Sequence, residues 1–309
     1  MSELMPFLRG CAGVNVKVDP VRLKYDPETG VQFLAQAVNV DIDDSGRISR
    51  RKGLRSIATV SNAHSLWSTK DQTRAYVIVG SGLYNLASDG NMSVVKVGLT
   101  YGAHGYYAQV NDQVYFSNGY EKGIISAQSV WSDWVETPYV GPDTERSFSG
   151  PPAGDRIAFY RGRMIIANNN DKCLYFSEPL NFGCFDLVRG FVMFDSGFTM
   201  IAPLDNGVFI STESGVFFMA GQSYKEMEMK KVNDFPAVPG TDVIFELSGI
   251  NPEMTGRAVC FVSKTRGICM GLDTGGVTSI TQDKVIVPNG SSGCSVIDDD
   301  FRLLTFMEI

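Results

Sequence analysis

Histidine is almost missing from this chain: two occur in 309 residues, His64 and His104. Chemistry built on a histidine base or a multi-histidine metal site therefore has little to draw on. Cysteine is sparse too. The six, Cys11, Cys173, Cys184, Cys260, Cys269 and Cys294, include no CxxC pair, so neither a zinc ribbon nor a disulfide scaffold is expected. Cys260 and Cys269 stand inside apolar runs and read as small core residues. No apolar run approaches the ~20 residues of a membrane helix. Residues 1–6 lack the basic-then-apolar pattern of a signal peptide. The expectation is synthesis and assembly in a cytoplasm, without membrane insertion. No G-x-S-x-G, H-E-x-x-H or Walker-type loop is present; no catalytic residue, cofactor or metal is assigned, and an enzyme is not expected. Cations are also in deficit, with 27 Lys and Arg against 34 Asp and Glu and a net charge of −7. Tight DNA binding needs clustered Lys and Arg. An acidic wall along which DNA slides is compatible with this balance.

What the chain does hold is turn and strand chemistry: 32 Gly, 19 Phe and 12 Tyr, residues that favour reversals and pleated surfaces over helices. Two stretches match closely, Ala63-His64-Ser65-Leu66-Trp67-Ser68 and Ala103-His104-Gly105-Tyr106-Tyr107-Ala108. They lie about 40 residues apart, within the range of propeller blades. Each precedes a polar link and a strongly apolar strand, Ala75-Tyr76-Val77-Ile78-Val79 and Val114-Tyr115-Phe116. The same unit returns from Arg156, Thr199, Val243 and Ser295. In the first five units a Gly-, Asn- or Ser-rich turn and another apolar strand follow, which is hairpin chemistry. The pattern predicts an all-β fold, a β-propeller of six blades, with five if one weak repeat fails. The sixth unit stops after its second strand, and an exposed apolar edge is avoided in proteins. Ring closure is therefore expected by pairing the N-terminal hairpin, residues 38–42 and 47–49, with the strands around 295–297 and 303–306. Residues 1–30 read as an arm and 31–309 as one propeller domain, with a long Pro-rich connection at 137–154. Residues 224–231 alternate apolar and charged side chains and predict an outer strand.

The N-terminal hairpin carries a further pattern: an Asn in a short strand, a turn glycine, an apolar residue, a basic residue and a glycine, here Asn39, Gly46, Ile48, Arg51 and Gly53. It resembles the opening segment of the tail nozzle proteins of short-tailed bacteriophages. Gly13-Val14-Asn15, Asp19-Pro20-Val21-Arg22-Leu23 and Phe33-Leu34-Ala35-Gln36-Ala37 are in the same style. Leu174-Tyr175-Phe176-Ser177-Glu178-Pro179-Leu180-Asn181 with Phe185 is similar to a blade phrase of those proteins. The resemblance implies a virion structural protein built on a propeller. It would form a ring with itself, a homohexamer, beneath an adaptor or portal ring and next to tail fibre or tail-tip proteins. It would close the DNA exit channel and touch phage DNA transiently at ejection. The chain is short for that family, leaving little room for a platform domain; a minimal nozzle, a tail-tip protein and a head-completion protein all fit. Two other classes stay open, a carbohydrate hydrolase or lyase and an interaction platform. An enzyme predicts clustered acids and a pocket at the central channel; a nozzle predicts a symmetric oligomer and no such pocket.

Individual motifs divide the same way. Asp41-x-Asp43-x-Ser45-Gly46 copies the start of a calcium loop, but Lys52 stands where the bidentate Glu belongs, and a plain hairpin turn is favoured. Residues 211–218 resemble the Asp-box hairpin of sialidase-like propellers, a structural turn, and Asp298-Asp299-Asp300 reads as a solvated loop. His64 and His104 occupy equivalent repeat positions, which favours a shared structural task over a catalytic pair. Glu213, Asp195 and Glu246 form a glycosidase pair only if two of them converge in the channel. The basic run Arg47, Arg50, Arg51, Lys52 and Arg55 favours a subunit contact over DNA. Trp131 and Trp134 are packing residues, or interface anchors if exposed.

Overall fold

The computed structural model describes residues 10–23, 31–43, 45–53, 55–143, 145–221, 226–281, 284–287, 290–298 and 302–308. Five antiparallel sheets, each laid down strand after strand, follow one another along the chain. Blade 1 is Ala63–Ser68, Ala75–Val79, Gly82–Leu86 and Met92–Val97; blade 2 is Tyr106–Val110, Gln113–Ser117, Lys122–Ile125 and Trp131–Asp133. Blade 3 is Arg156–Tyr160, Arg163–Asn168, Cys173–Glu178 and Phe191–Met193, with Asn181–Phe185 added at one end of the third strand. Blade 4 is Phe198–Pro203, Gly207–Thr212, Gly215–Ala220 and Glu228–Asn233; blade 5 is Val243–Glu246, Arg257–Ser263, Gly267–Leu272 and Val277–Ser279. The protein is a five-bladed β-propeller, the lower of the two expected counts, and its strands fall on the repeat units. The outer strand expected at 224–231 is Glu228–Asn233; residues 224 and 225 lie outside the described residues.

Sequence and packing meet in the second strands. Side chains alternate between the two faces of a strand, and a strand buried on both faces reads as a continuous apolar run. In blade 3, Met164 and Ile166 pack toward blade 2 with Ala108, Tyr115 and Trp134. Ile165 and Ala167 pack toward blade 4 with Ile201, Val208 and Ile210. The seam between blades 1 and 2 is filled by Tyr76, Ile78, Leu83, Val114 and Phe116, and that between blades 4 and 5 by Phe209, Phe218, Val259 and Phe261. Each such side chain contributes about 1.5–3 kcal/mol by leaving water, so the seams hold the ring together. Buried Cys260 and Cys269 belong to this packing, and burial pushes both thiols up to about 11.

The sixth position differs from expectation. The hairpin Ser292–Ile297 and Leu303–Glu308 packs Ile297 and Leu303 on blade 5. The N-terminal hairpin Val40–Ile42 and Ile48–Arg50 is a separate two-stranded sheet, and no ladder joins the two hairpins among the described residues. Its strands are three residues long and half polar, too short and too charged to cover an apolar face. A side-chain clasp replaces the ladder: Arg302 Nη1 bonds Asp41 Oδ2 at 2.7 Å, and Arg51 Nε bonds the other oxygen at 3.2 Å. The chain ends meet, but through charge. Val296 and Phe306, at 51% and 58% exposure, remain on the open side. Part of the expected arm, Gly10–Val14, is a strand. Gly10–Val14 pairs in parallel with Val31–Leu34, so the expected boundary at residue 30 falls inside a ladder.

Candidate axial binding site

The first strands of blades 2, 3 and 4 lie side by side, which puts the first strands nearest the propeller axis, and their two ends define two mouths. At the mouth where the first strands begin, blades 2, 3 and 5 bring polar groups together. Arg156, only 8% exposed, lays its guanidinium over the Tyr106 ring at 4.8 Å and makes no side-chain hydrogen bond among the described residues. Burial pushes the Tyr106 hydroxyl up, an effect that the nearby Arg156 charge opposes and Asp242 and Asp155 reinforce. Burial likewise pushes the Asp242 carboxyl up, against the pull of Arg156.

His64 and His104 meet at the same mouth. Their ring centroids are 5.2 Å apart. His64 Nδ1 bonds Ser65 Oγ at 2.9 Å, and that oxygen accepts the Gly105 N–H of the neighbouring blade at 2.9 Å. Ser65 adopts φ 55°, the bulge that turns its hydroxyl toward the seam. His64 Nε2 is buried without a hydrogen-bond partner, and burial, then His104, depresses its pKa. The shared task expected of the pair is therefore a contact between the first two blades.

At the opposite mouth, where the first strands end, a pocket of about 390 Å³ opens among Lys70, Phe159, Tyr160, Arg161, Leu204, Asp205, Glu246 and Arg257. The ends of the first strands of blades 3 and 5 and the turns after those of blades 1, 3 and 4 supply its wall, with Arg257 from the second strand of blade 5. Arg257 Nη2 pairs with Asp205 Oδ1 at 2.7 Å, and Arg161 donates from Nη2 and Nε to the Asp205 carbonyl at 3.0 and 3.3 Å. Asn206 fastens the same turn to Asp273 by two bonds, 2.7 and 2.6 Å. Blades 3, 4 and 5 are thus tied together at the rim. Tyr160 is buried, donates to the Gly221 carbonyl at 3.2 Å, and has its hydroxyl pushed up by burial, with Arg161 opposing.

The other residues singled out by sequence lie elsewhere. Asn39 takes φ 58° and its carbonyl accepts the Arg51 N–H at 3.0 Å. Gly46, at φ 77°, accepts the Cys11 N–H at 2.8 Å, and a Cβ there would stand 2.8 Å from that nitrogen. Ile48 pairs with Ile42, whereas a Cβ on Gly53 would meet nothing within 4 Å. Arg47, Arg50, Lys52 and Arg55 are exposed and form no salt bridge among the described residues. In the calcium-like loop Asp41 is held by two guanidinium groups. Asp43 Oδ1 accepts from the Ser45 amide, Ser45 Oγ and the Arg47 amide, which lower its pKa. Both carboxylates are spent on the hairpin; Asp44 lies outside the described residues. Trp134 is 3% exposed and donates to the Phe182 carbonyl at 2.9 Å, which makes it a packing residue between blades 2 and 3. Trp131 is half-buried beneath Lys96, edge-on to Phe116.

Asp195 accepts from Ser214 Oγ at 2.9 Å beside the turn that carries Glu213, at the first-strand starts. Glu246 lines the pocket at the other mouth. The three carboxylates do not converge. Asp298 accepts the Arg302 amide at 2.8 Å; Asp299 and Asp300 lie outside the described residues. The 137–154 connection is pinned to blade 3. Arg146 bonds Asp186 and Glu178, both at 2.8 Å, and Ser149 exchanges backbone bonds with Phe185.

No family model matches the chain, and no curated protein matches it. Solved structures do. The extracellular domain of the BT4673 one-component system of Bacteroides thetaiotaomicron superposes with a TM-score of 0.52 at 13% identity, over 82% of this chain and 33% of that one. An auxiliary nutrient binding protein of the same organism superposes with a TM-score of 0.51 at 9% identity, over 80% of this chain and 66% of that one. A gluconolactonase of Xanthomonas campestris gives a TM-score of 0.48 at 10% identity, over 81% and 84%. The chain spans a third to two thirds of the first two. At these identities the likeness establishes the propeller fold and nothing more.

Proposed function

We propose that the chain is a structural ring subunit of a short-tailed phage nozzle, a propeller that works through its surfaces. One observation carries the reading: the hairpin that bears the nozzle-like pattern is the one that meets the C-terminal hairpin, through Asp41 and Arg302. Asn39 and Gly46 supply the two left-handed backbone positions of the hairpin, and Arg51 shares Asp41 with Arg302. Arg47, Arg50, Lys52 and Arg55 beside it offer a cationic patch on an acidic chain, suited to the acidic flank of a neighbouring copy. Head-to-tail contacts of that kind close into rings. Adaptor or portal and tail-tip proteins would bind the ring's two faces, and DNA would pass an acid-rich wall that does not hold phosphate.

Native mass spectrometry with negative-stain imaging tests this. The expected result is a closed ring, six copies, that falls apart when Arg47, Arg50, Lys52 and Arg55 are replaced by Glu. A chain that stays monomeric at micromolar concentration, alone and with a portal-type ring, overturns it. The axial pocket is not what a nozzle predicts, and it favours a second reading, a binding platform.

A further inference from the structure

We propose that the axial pocket is a binding site for a small hydroxylated carboxylate, a sugar acid. The proposal does not depend on ring formation.

The wall chemistry selects this class. Asp205 has its charge matched by Arg257, at 2.7 Å from Nη2 and 2.9 Å from Nε. The contacts of the Arg161 guanidinium are uncharged, a backbone carbonyl and the face of Tyr160, 5.4 Å away. Lys70 is held only through its backbone N–H, which donates to Gln109 Oε1 at 2.9 Å. Its ammonium and the Glu246 carboxylate make no ion pair or hydrogen bond among the described residues. The pocket thus presents two cations and one carboxylate that make no ion pair among the described residues, within a chain of net charge −7. A carboxylate on the ligand accepts from Lys70 and Arg161 in charge-assisted bonds. Ligand hydroxyls donate to Glu246, an acceptor only when ionised. Phe159, half-buried, gives the carbon face an apolar surface.

Two further properties fit. The volume, about 390 Å³, falls in the small-ligand range of roughly 300–1,000 Å³. The rim is also fixed before any ligand arrives, since Arg161, Asp205, Arg257, Asn206 and Asp273 lock three turns to one another. A pre-organised rim spares the ligand the entropic cost of ordering it. A neutral sugar would leave both cations without a partner, and a bare carboxylate would leave Glu246 without a donor.

Calorimetry and ligand-observed NMR with D-glucuronate, D-glucose and acetate on the full chain test the assignment. Glucuronate is expected to bind roughly tenfold or more tightly than either of the others. Lys70→Ala should weaken glucuronate roughly tenfold while leaving glucose unchanged, and Glu246→Gln should weaken glucuronate and glucose together. Both side chains are exposed, so both variants should melt with the parent. No glucuronate binding at millimolar concentration, equal binding of glucose, or an unchanged affinity in Lys70→Ala would each overturn the proposal.

Discussion

Arg302 and Asp41, 261 residues apart in the chain, are joined by a 2.7 Å ion pair that brings the last hairpin of the propeller to the first. Asp41 is the shared acceptor, since Arg51 takes its second oxygen. Replacing it removes both bonds at once. Asp41→Ala is expected to cost about 1–2 kcal/mol, more than a single exposed pair. The loss should appear as faster amide exchange in Leu303–Glu308 before the blades melt. An unchanged exchange rate there would mean that the clasp does not hold the C-terminal hairpin.

Gly46 and Gly53 separate a steric demand from a mere pattern. At Gly46 the left-handed backbone and the close approach of Cys11 leave no room for a methyl group. Gly46→Ala should destabilise the protein by more than about 1 kcal/mol. Gly53→Ala should stay within about 0.5 kcal/mol of the parent. Thermal melts of the two variants decide, and equal effects would refute the assignment of Gly46 to the hairpin's contact with residues 10–14.

Arg146 is the main charge anchor of the 137–154 connection. Its side chain is 10% exposed, and the Asp186 side chain beneath it 2%. Burial pushes the Asp186 carboxyl up, but the bonds from Arg146, Arg189 and Val188 outweigh it, and its pKa falls below the ordinary value. Arg146→Ala leaves a desolvated carboxylate unpaired, at a cost of about 3–5 kcal/mol. The sign of the pH effect follows from the depressed pKa. The stabilisation is full above the unfolded value near 3.8 and is lost as pH falls through the folded one. Denaturant titrations near neutrality and in acid should show the variant's penalty shrinking in acid.

His64 works in the opposite pH range. Its folded pKa lies below the ordinary 6.5, so the unfolded chain takes the proton first and stability falls as pH drops below about 6.5. The decline ends at the folded value. His64→Gln should flatten the melting temperature between pH 7.5 and 5.5, where the parent declines. A parent whose melting temperature does not change over that interval would remove burial as the cause.

Much of the propeller is legible in the residues, and for a physical reason. A second strand packed on both faces has no polar alternation to hide it, as Met164-Ile165-Ile166-Ala167 shows. The 40-residue spacing of His64 and His104 placed them at equivalent positions, although nothing in a spacing says that the two rings touch. Closure was harder. The half blade after Ser292 invites a ladder, yet the strands on offer are three residues long and carry Asp41 and Arg50, so side chains do the work instead. The pocket was not legible. Lys70, Arg161, Asp205 and Glu246 each look like ordinary turn residues, and only the ring brings them to one mouth. The signal lay in their position: each ends a first strand or follows it by one or two residues.

The joints between successive blades, and between the last blade and the C-terminal hairpin, are greased with buried apolar groups, and the meeting of the two terminal hairpins is latched by a carboxylate between two arginines. Such a body is a split washer. Its bore has a give that a fully glued ring lacks, concentrated at one radial cut. Because the latch is partly wet, dissolved ions screen it while leaving the other joints tight, so the saltiness of the surroundings sets how firmly the washer stays shut.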